Sequence, residues 1–242
     1  MTGGGIAMAA RISGVAALAA ALGIAPGPGT GTAQAAPGTP NPPSRTGTLY
    51  GDPAAAAPFW HYQEYDDDCV EMAVADVIGE LNGDAPSERA IVKVAQTLPS
   101  TAHHGPIYAK RGKPRAGTGT YFRDEPALLA HYGIHAVNTD RDSAKKTGVP
   151  TGMKALEQDL AEGRKMIVGV NAELIWREPV EDKTSDGEPE ANHALVVTGV
   201  DTAAGIVHLN DSGSEDGRDE QVPIGIFTRS WDTSDDQMTV TT

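Results

Sequence analysis

The chain of 242 residues has one cysteine, Cys69. No disulfide can therefore form within it, and an exported protein that uses cysteine for stability spends it in pairs. Positive charge is also scarce: 19 Lys and Arg stand against 33 Asp and Glu, a net charge of −14. A field of that sign repels phosphate and excludes nucleic acid as a partner. After the first two dozen residues no segment is apolar enough to cross a membrane. Internal repeats, a phosphate-cradling glycine loop and a Gly-x-Ser-x-Gly elbow are all missing. His103-His104 lacks a carboxylate or histidine at ligand spacing, so no metal is expected. The loop Asp211-Ser-Gly-Ser-Glu-Asp-Gly217 lacks Asp or Asn at its third position and Gly at its sixth, which fails the calcium-loop template.

What is present begins with an export signal. Arg11 is followed by an apolar, alanine-rich stretch at residues 12–24 and by the small-x-small site Ala33-Gln34-Ala35, so residues 1–35 read as a secretory signal peptide. There is no twin arginine, which points to the general secretory route. Residues 36–58, rich in Pro, Gly, Thr and Ala, read as a disordered linker. Residues 59–242 are the right size for one domain. The protein is expected to be secreted or held in the cell envelope, with no membrane segment once the signal is removed.

The organising stretch is Gln63-Glu-Tyr-Asp-Asp-Asp-Cys69-Val-Glu-Met-Ala73. Val70, Ala73, Val74, Val77, Ile78 and Leu81 recur at helical spacing, which predicts a helix starting at the cysteine and ending at Gly83. Asp66, Asp67 or Asp68 can cap it. A thiol in the first turn meets the positive end of the helix dipole, which favours thiolate. An isolated cysteine can equally be a small buried apolar residue; an unpaired one in an exported chain moves the reading toward a nucleophile.

Further helices are expected after Pro86-Ser87-Glu88 with Ile91, Val94, Ala95 and Leu98, after Asp124 with Leu128, Leu129 and Tyr132, and after a Thr151 cap with Met153, Leu156 and Leu160. Between the second and third runs a long loop, basic at residues 110–115, could wall a cleft. Residues 134–137 and 166–170 read as strands. An acidic loop at 179–190 precedes a hairpin of residues 192–200 and 206–210, then a helix at 224–231 and a strand at 238–240. Helices first and antiparallel strands after make the class α+β. Trp60, Trp176 and Trp231 read as core or cleft wall, and His208 as a packed hairpin residue.

His193 opens the first hairpin strand and Asp211 follows the second. Antiparallel pairing brings the two together. A carboxylate beside an imidazole fixes its tautomer and stabilises its protonated form. If the Cys69 helix crosses the sheet at that edge, Cys69, His193 and Asp211 form a triad, with Gln63 and the Cys69 backbone N–H able to hold an oxyanion. Asn210 is the alternative third member. Asp66, Asp67, Asp68 and Glu71 crowd the sulfur and would raise its pKa unless they point to solvent or are outweighed.

The order of Gln63, Cys69 opening a helix, His193 opening a strand and Asn210-Asp211 closing the next resembles papain-fold cysteine peptidases, above all the bacteriocin-processing family and its exported relatives. Residues 63–73, 192–201 and 207–211 carry the likeness, with Ile224-Gly-Ile-Phe-Thr-Arg-Ser-Trp231 resembling the closing helix. It departs at Val70, where the family often has Gly, and at Ser212, where it has Pro. Nothing resembles a transporter, so cleavage after a double-glycine leader is not implied. The resemblance implies a papain-like fold, nucleophile Cys69, base His193, orienter Asp211 and oxyanion donor Gln63, with no metal or cofactor. It implies a peptide or protein substrate. Cell-wall peptide cleaved by the same chemistry, and an inactive papain-fold binding module, are the alternatives.

Overall fold

A computed structural model describes residues 46–109 and 119–242. The signal expected at 1–35, the first part of the 36–58 linker and the basic run at 110–115 lie outside the described residues. The rest of the linker reading is corrected. Strand β1 (Leu49–Gly51) pairs with the end of β4 (His193–Asp201), Tyr50 opposite Val200. Helix α1 (Pro53–Ala56) follows, capped by the Asp52 side chain, which accepts Ala55 N–H at 3.0 Å. Pro53 occupies the first turn, where a missing N–H leaves nothing unpaired. It lies so close to β4 that a Cβ on Gly199 would sit 2.7 Å from its ring. The Pro- and Ala-rich composition that suggests a linker is thus the composition of a short, proline-started helix.

The remaining strands are β2 (Ala136–Thr139), β3 (Met166–Val170), β5 (Ile206–Asn210), β6 (Glu220–Pro223) and β7 (Met238–Thr241). They form one sheet in the order β2-β7-β3-β4-β5-β6 with antiparallel pairings. Side chains alternate between faces along a strand. On β4, Ala194 and Val196 pack with α2 (Cys69–Asn82), α3 (Glu88–Ala95) and α4 (Glu125–His131). Leu195 and Val197 pack with α6 (Met153–Ala161) and α8 (Ile224–Trp231). Both faces are covered, which is why β4 reads as an unbroken apolar run. The class is α+β, as the order of patterns predicts.

Helix α2 runs from the cysteine to a left-handed Gly83 (φ 78°), whose N–H returns to Gly79 O at 2.8 Å. Leu81, expected on its inner face, is 43 % exposed. Of the three candidate aspartates Asp68 holds the cap position, but its side chain makes no cap hydrogen bond. Thr151 is not the cap of α6 either; Gly152 is, and Thr151 donates to Asp236 O instead. Helices α5 (Ala144–Thr147) and α7 (Ala172–Trp176) and strand β6 go unread in the sequence because each is too short to show a period.

Candidate active site

The β4–β5 register sets Val196 opposite Asn210. The start of β4 therefore lies beside the residue that follows β5. There His193 Nε2 meets Asp211 Oδ1 at 2.6 Å. Helix α2 packs Ala73, Val74 and Val77 against Ala194 and Val196, so its N-terminus ends at the same edge. Cys69, partly exposed, comes within hydrogen-bonding range of His193. Since Nε2 is taken by Asp211, Nδ1 is the ring nitrogen left for the thiol. The alternative Asn210 is occupied elsewhere: its amide donates to Ala56 O at 3.2 Å and accepts Asp219 N–H at 3.2 Å.

Asp211 is fully buried and held from several sides. Oδ2 accepts the Trp176 indole N–H at 2.8 Å, Oδ1 accepts Gly213 N–H at 2.8 Å, and its backbone carbonyl accepts the Trp60 indole N–H at 2.6 Å. Burial opposes its ionisation, but His193, the Trp176 indole and Gly213 N–H outweigh burial and keep it below the usual carboxylate range. For His193, burial likewise disfavours the charged form; Asp211 and the Cys69 sulfur overcome it and hold the imidazole well above its ordinary pKa. Such an arrangement can store a thiolate–imidazolium pair. The Trp176 ring lies 5.6 Å from the His193 ring, and a Cβ on Gly213 would come within 3.0 Å of both. The His193 imidazole is wedged between an indole and a backbone that tolerates no side chain.

Gln63 is buried beside this pair. Its backbone N–H donates to Ser212 O at 2.9 Å, and its Oε1 accepts Ser212 Oγ–H at 3.0 Å. Nε2 gives one N–H to Tyr65 O at 2.9 Å, which leaves its second for an incoming oxygen. Ser212, a departure from the family pattern, thus fixes which end of the amide faces which way.

The acidic surroundings of the sulfur are largely silenced. Asp66 is exposed, and Asp67 accepts the Tyr108 hydroxyl at 2.7 Å. Asp68 is pushed up to about 10 by burial first and by Glu88, Glu71 and Cys69 after it. Glu71 rises to about 8, again through burial, despite accepting the Thr120 hydroxyl at 2.5 Å. Near neutrality two of the four carboxyls are mostly uncharged, so their repulsion of a thiolate is small.

Trp60 and Trp176 are half-buried beside the site, each with its indole N–H on Asp211, while Trp231 is core. What the sequence does not reveal is that both indole N–H groups serve Asp211. His103 stacks on Tyr121 at 5.4 Å and bonds His104 O. Among the described residues no group of three or more His, Cys, Asp or Glu is arranged to hold a metal.

Residues 61–239 match the model of the Peptidase_C39-like family. Uncharacterized proteins of Mycobacterium tuberculosis and Mycobacterium bovis are 59 % identical over 199 residues, covering 81 % of this chain and 85 % of theirs. The fold is similar to that of a chain from Bacillus anthracis described as a C39-like peptidase, with a TM-score of 0.54 at 16 % identity over 81 % of this chain and 98 % of that one. The sheet, the helix that starts at Cys69 and a family match running from His61 to Thr239 lead to one assignment: the chain belongs to the Peptidase_C39-like family and has its papain-like fold.

Proposed function

We propose that this protein is an exported cysteine hydrolase that cleaves amide bonds in peptides through an acyl-enzyme. The observation that carries the reading is one imidazole held between a buried carboxylate, at 2.6 Å, and the only thiol of the chain. His193 takes the Cys69 proton, and the thiolate attacks the scissile carbonyl carbon. The carbonyl oxygen becomes an oxyanion received by Gln63 Nε2–H and the Cys69 backbone N–H. His193 then gives its proton to the leaving amine as the C–N bond breaks. Water, deprotonated by His193, splits the thioester and returns the thiol. Asp211 keeps the ring oriented throughout and remains ionised. Export rests on the signal pattern of residues 1–35, and N-terminal sequencing of protein recovered outside the cell tests it.

Alkylation of the purified domain by iodoacetamide across pH tests the pair. The expected result is fast labelling with an apparent pKa below the value of about 8.5 for a simple thiol, slowed in His193→Ala. Slow labelling indifferent to His193 would leave the fold as a binding module. Turnover on plain peptides beside peptidoglycan fragments then identifies the bond.

A further inference from the structure

Asp68 immediately precedes Cys69 and is fully buried. A buried carboxyl needs hydrogen-bond donors or a proton. Among the described residues no N–H or O–H reaches either of its oxygens, although it sits at the cap position of α2 where backbone N–H groups are at hand. What it does reach is another carboxyl, that of Glu88 at the first residue of α3. Glu88 Oε1 in turn accepts the backbone N–H groups of Glu64 and Tyr65, at 2.5 and 3.0 Å. The Tyr65 carbonyl holds Gln63 Nε2. A continuous chain of contacts thus runs from the residue before the nucleophile, through α3, to the oxyanion donor.

We propose that Asp68 and Glu88 form a carboxyl–carboxylate pair sharing one proton, and that this pair positions the loop from Gln63 to Cys69 for the reaction. Asp68 is a positioning residue, since it acts through the loop rather than on substrate. The role rests on the hydrolase reading; the shared proton does not.

Asp68 is fully buried and Glu88 half-buried, and a buried carboxyl in contact with a second one is disfavoured from ionising beside it. One proton turns the contact into a charge-assisted hydrogen bond, which is about twice as strong as a neutral one. Glu88, bonded to two backbone N–H groups, is the acceptor, and Asp68 is the donor. Among the described residues the groups that favour its proton are Glu88 from α3 and Glu71 and Cys69 from its own helix. None is a cation. The proton therefore also keeps a negative charge from standing next to the thiolate.

The test uses Asp68→Asn and Asp68→Ala in the whole domain, with three readouts: alkylation of Cys69, hydrogen exchange at the Glu64 and Tyr65 amides, and the melting midpoint against pH. Asparagine keeps a donor toward Glu88 and carries no titrating proton. It is expected to hold labelling and amide protection near wild type, whereas alanine loses the protection and slows labelling about ten-fold, the equivalent of one hydrogen bond to a charged group. The midpoint of Asp68→Asn should exceed that of wild type by a margin that widens from about pH 5 to about pH 9, because only wild type must keep a proton on a buried acid. Asparagine behaving like alanine, or a margin constant with pH, would overturn the proposal. Should the alanine protein not fold, wild type against asparagine decides alone. An ordinary, slowly labelled Cys69 in wild type would sink the hydrolase reading, while exchange and melting would still report on the pair.

Discussion

The β4–β5 hairpin carries two histidine–carboxylate pairs of nearly equal length, His193–Asp211 at 2.6 Å and His208–Asp219 at 2.7 Å. By distance alone they are the same motif. They differ in what surrounds them. Asp211 is fully buried and accepts two further N–H bonds, from Trp176 and Gly213. Asp219 leaves 34 % of its side chain exposed, sits on a left-handed backbone (φ 53°) and uses its own N–H to hold Asn210. His193 turns Nε2 to its carboxylate and Nδ1 toward a thiol; His208 turns Nδ1 and fastens the β6 end of the sheet. On the proposed reading, a short contact to a carboxylate is therefore not by itself what makes a base. The carboxylate must be desolvated and held by other donors, and the second ring nitrogen must face something that can lose a proton.

The sharpest way to break this contrast is to remove each imidazole. His193→Ala is expected to lower hydrolysis by about 100- to 10,000-fold, the worth of a general base. His208→Ala should leave Cys69 alkylation unchanged and lower stability by about 1 kcal/mol, the net value of one hydrogen bond. Equal damage to labelling by both would mean that the pairs are coupled, and the distinction would fall. Next in size is Gly213→Ala. Its Cβ would stand 3.0 Å from the His193 ring and from Trp176, so the ring must shift. The neighbour has to give by a few tenths of an ångström, and since a misplacement of about 1 Å costs about 100-fold, a loss of about ten-fold is expected. Gly225→Ala on α8, where nothing lies within 4 Å, is the matched control. Trp176→Phe keeps the ring and deletes one donor to Asp211, for which about ten-fold is expected. The lost donor also lets Asp211 take up a proton at higher pH, so the acid side of the alkylation profile should move upward.

The legible and illegible parts of the molecule divide along the same physical line. Cys69, His193 and Asp211 could be brought together from sequence because long periodic elements end at each of them, and an antiparallel hairpin converts strand ends into neighbours. Sequence alone leaves Asn210 beside Asp211 as an alternative, because one closes β5 and the other follows it directly, and only the fold shows Asn210 tied to Ala56. Trp176 was visible as a wall but not as a donor to Asp211, since α7, five residues long, has no period to place it. The folded stretch of β1 and α1 was hidden by composition: proline and alanine look like a linker until Asp52 and Gly199 are seen to fit them to β4. The acidic loop around Cys69 looks like an obstacle in the sequence because a sequence counts charges at their usual pKa, and only burial shows which carboxyls keep their protons.

Protons retained by burial also act on the stability of the whole domain, by an amount that is smaller per residue but measurable. Glu71 and Glu125 are both fully buried and pushed up to about 8, by burial first in each case. The unfolded chain releases these protons near the ordinary carboxylate pKa, while the folded protein keeps them to about 8. Between those limits the folded state binds more protons, so stability falls as pH rises. His193, held above its ordinary pKa, acts in the same direction: its contribution is complete below the unfolded value and is lost as pH climbs through the folded one. Asp211, held low, contributes only above its unfolded pKa and loses that contribution in acid. Stability should thus peak in mild acid, below neutrality and above the range where Asp211 protonates. Calorimetry from about pH 4 to about pH 9 checks this, with Glu125→Gln as the probe. Removing one retained proton should flatten the alkaline decline and raise stability at the basic end by about 1 kcal/mol or more, with little change in mild acid. A midpoint that rises steadily toward pH 8 would mean that these carboxyls are ionised in the folded protein, and the silencing of charge around Cys69 would have to be explained by solvent instead of burial.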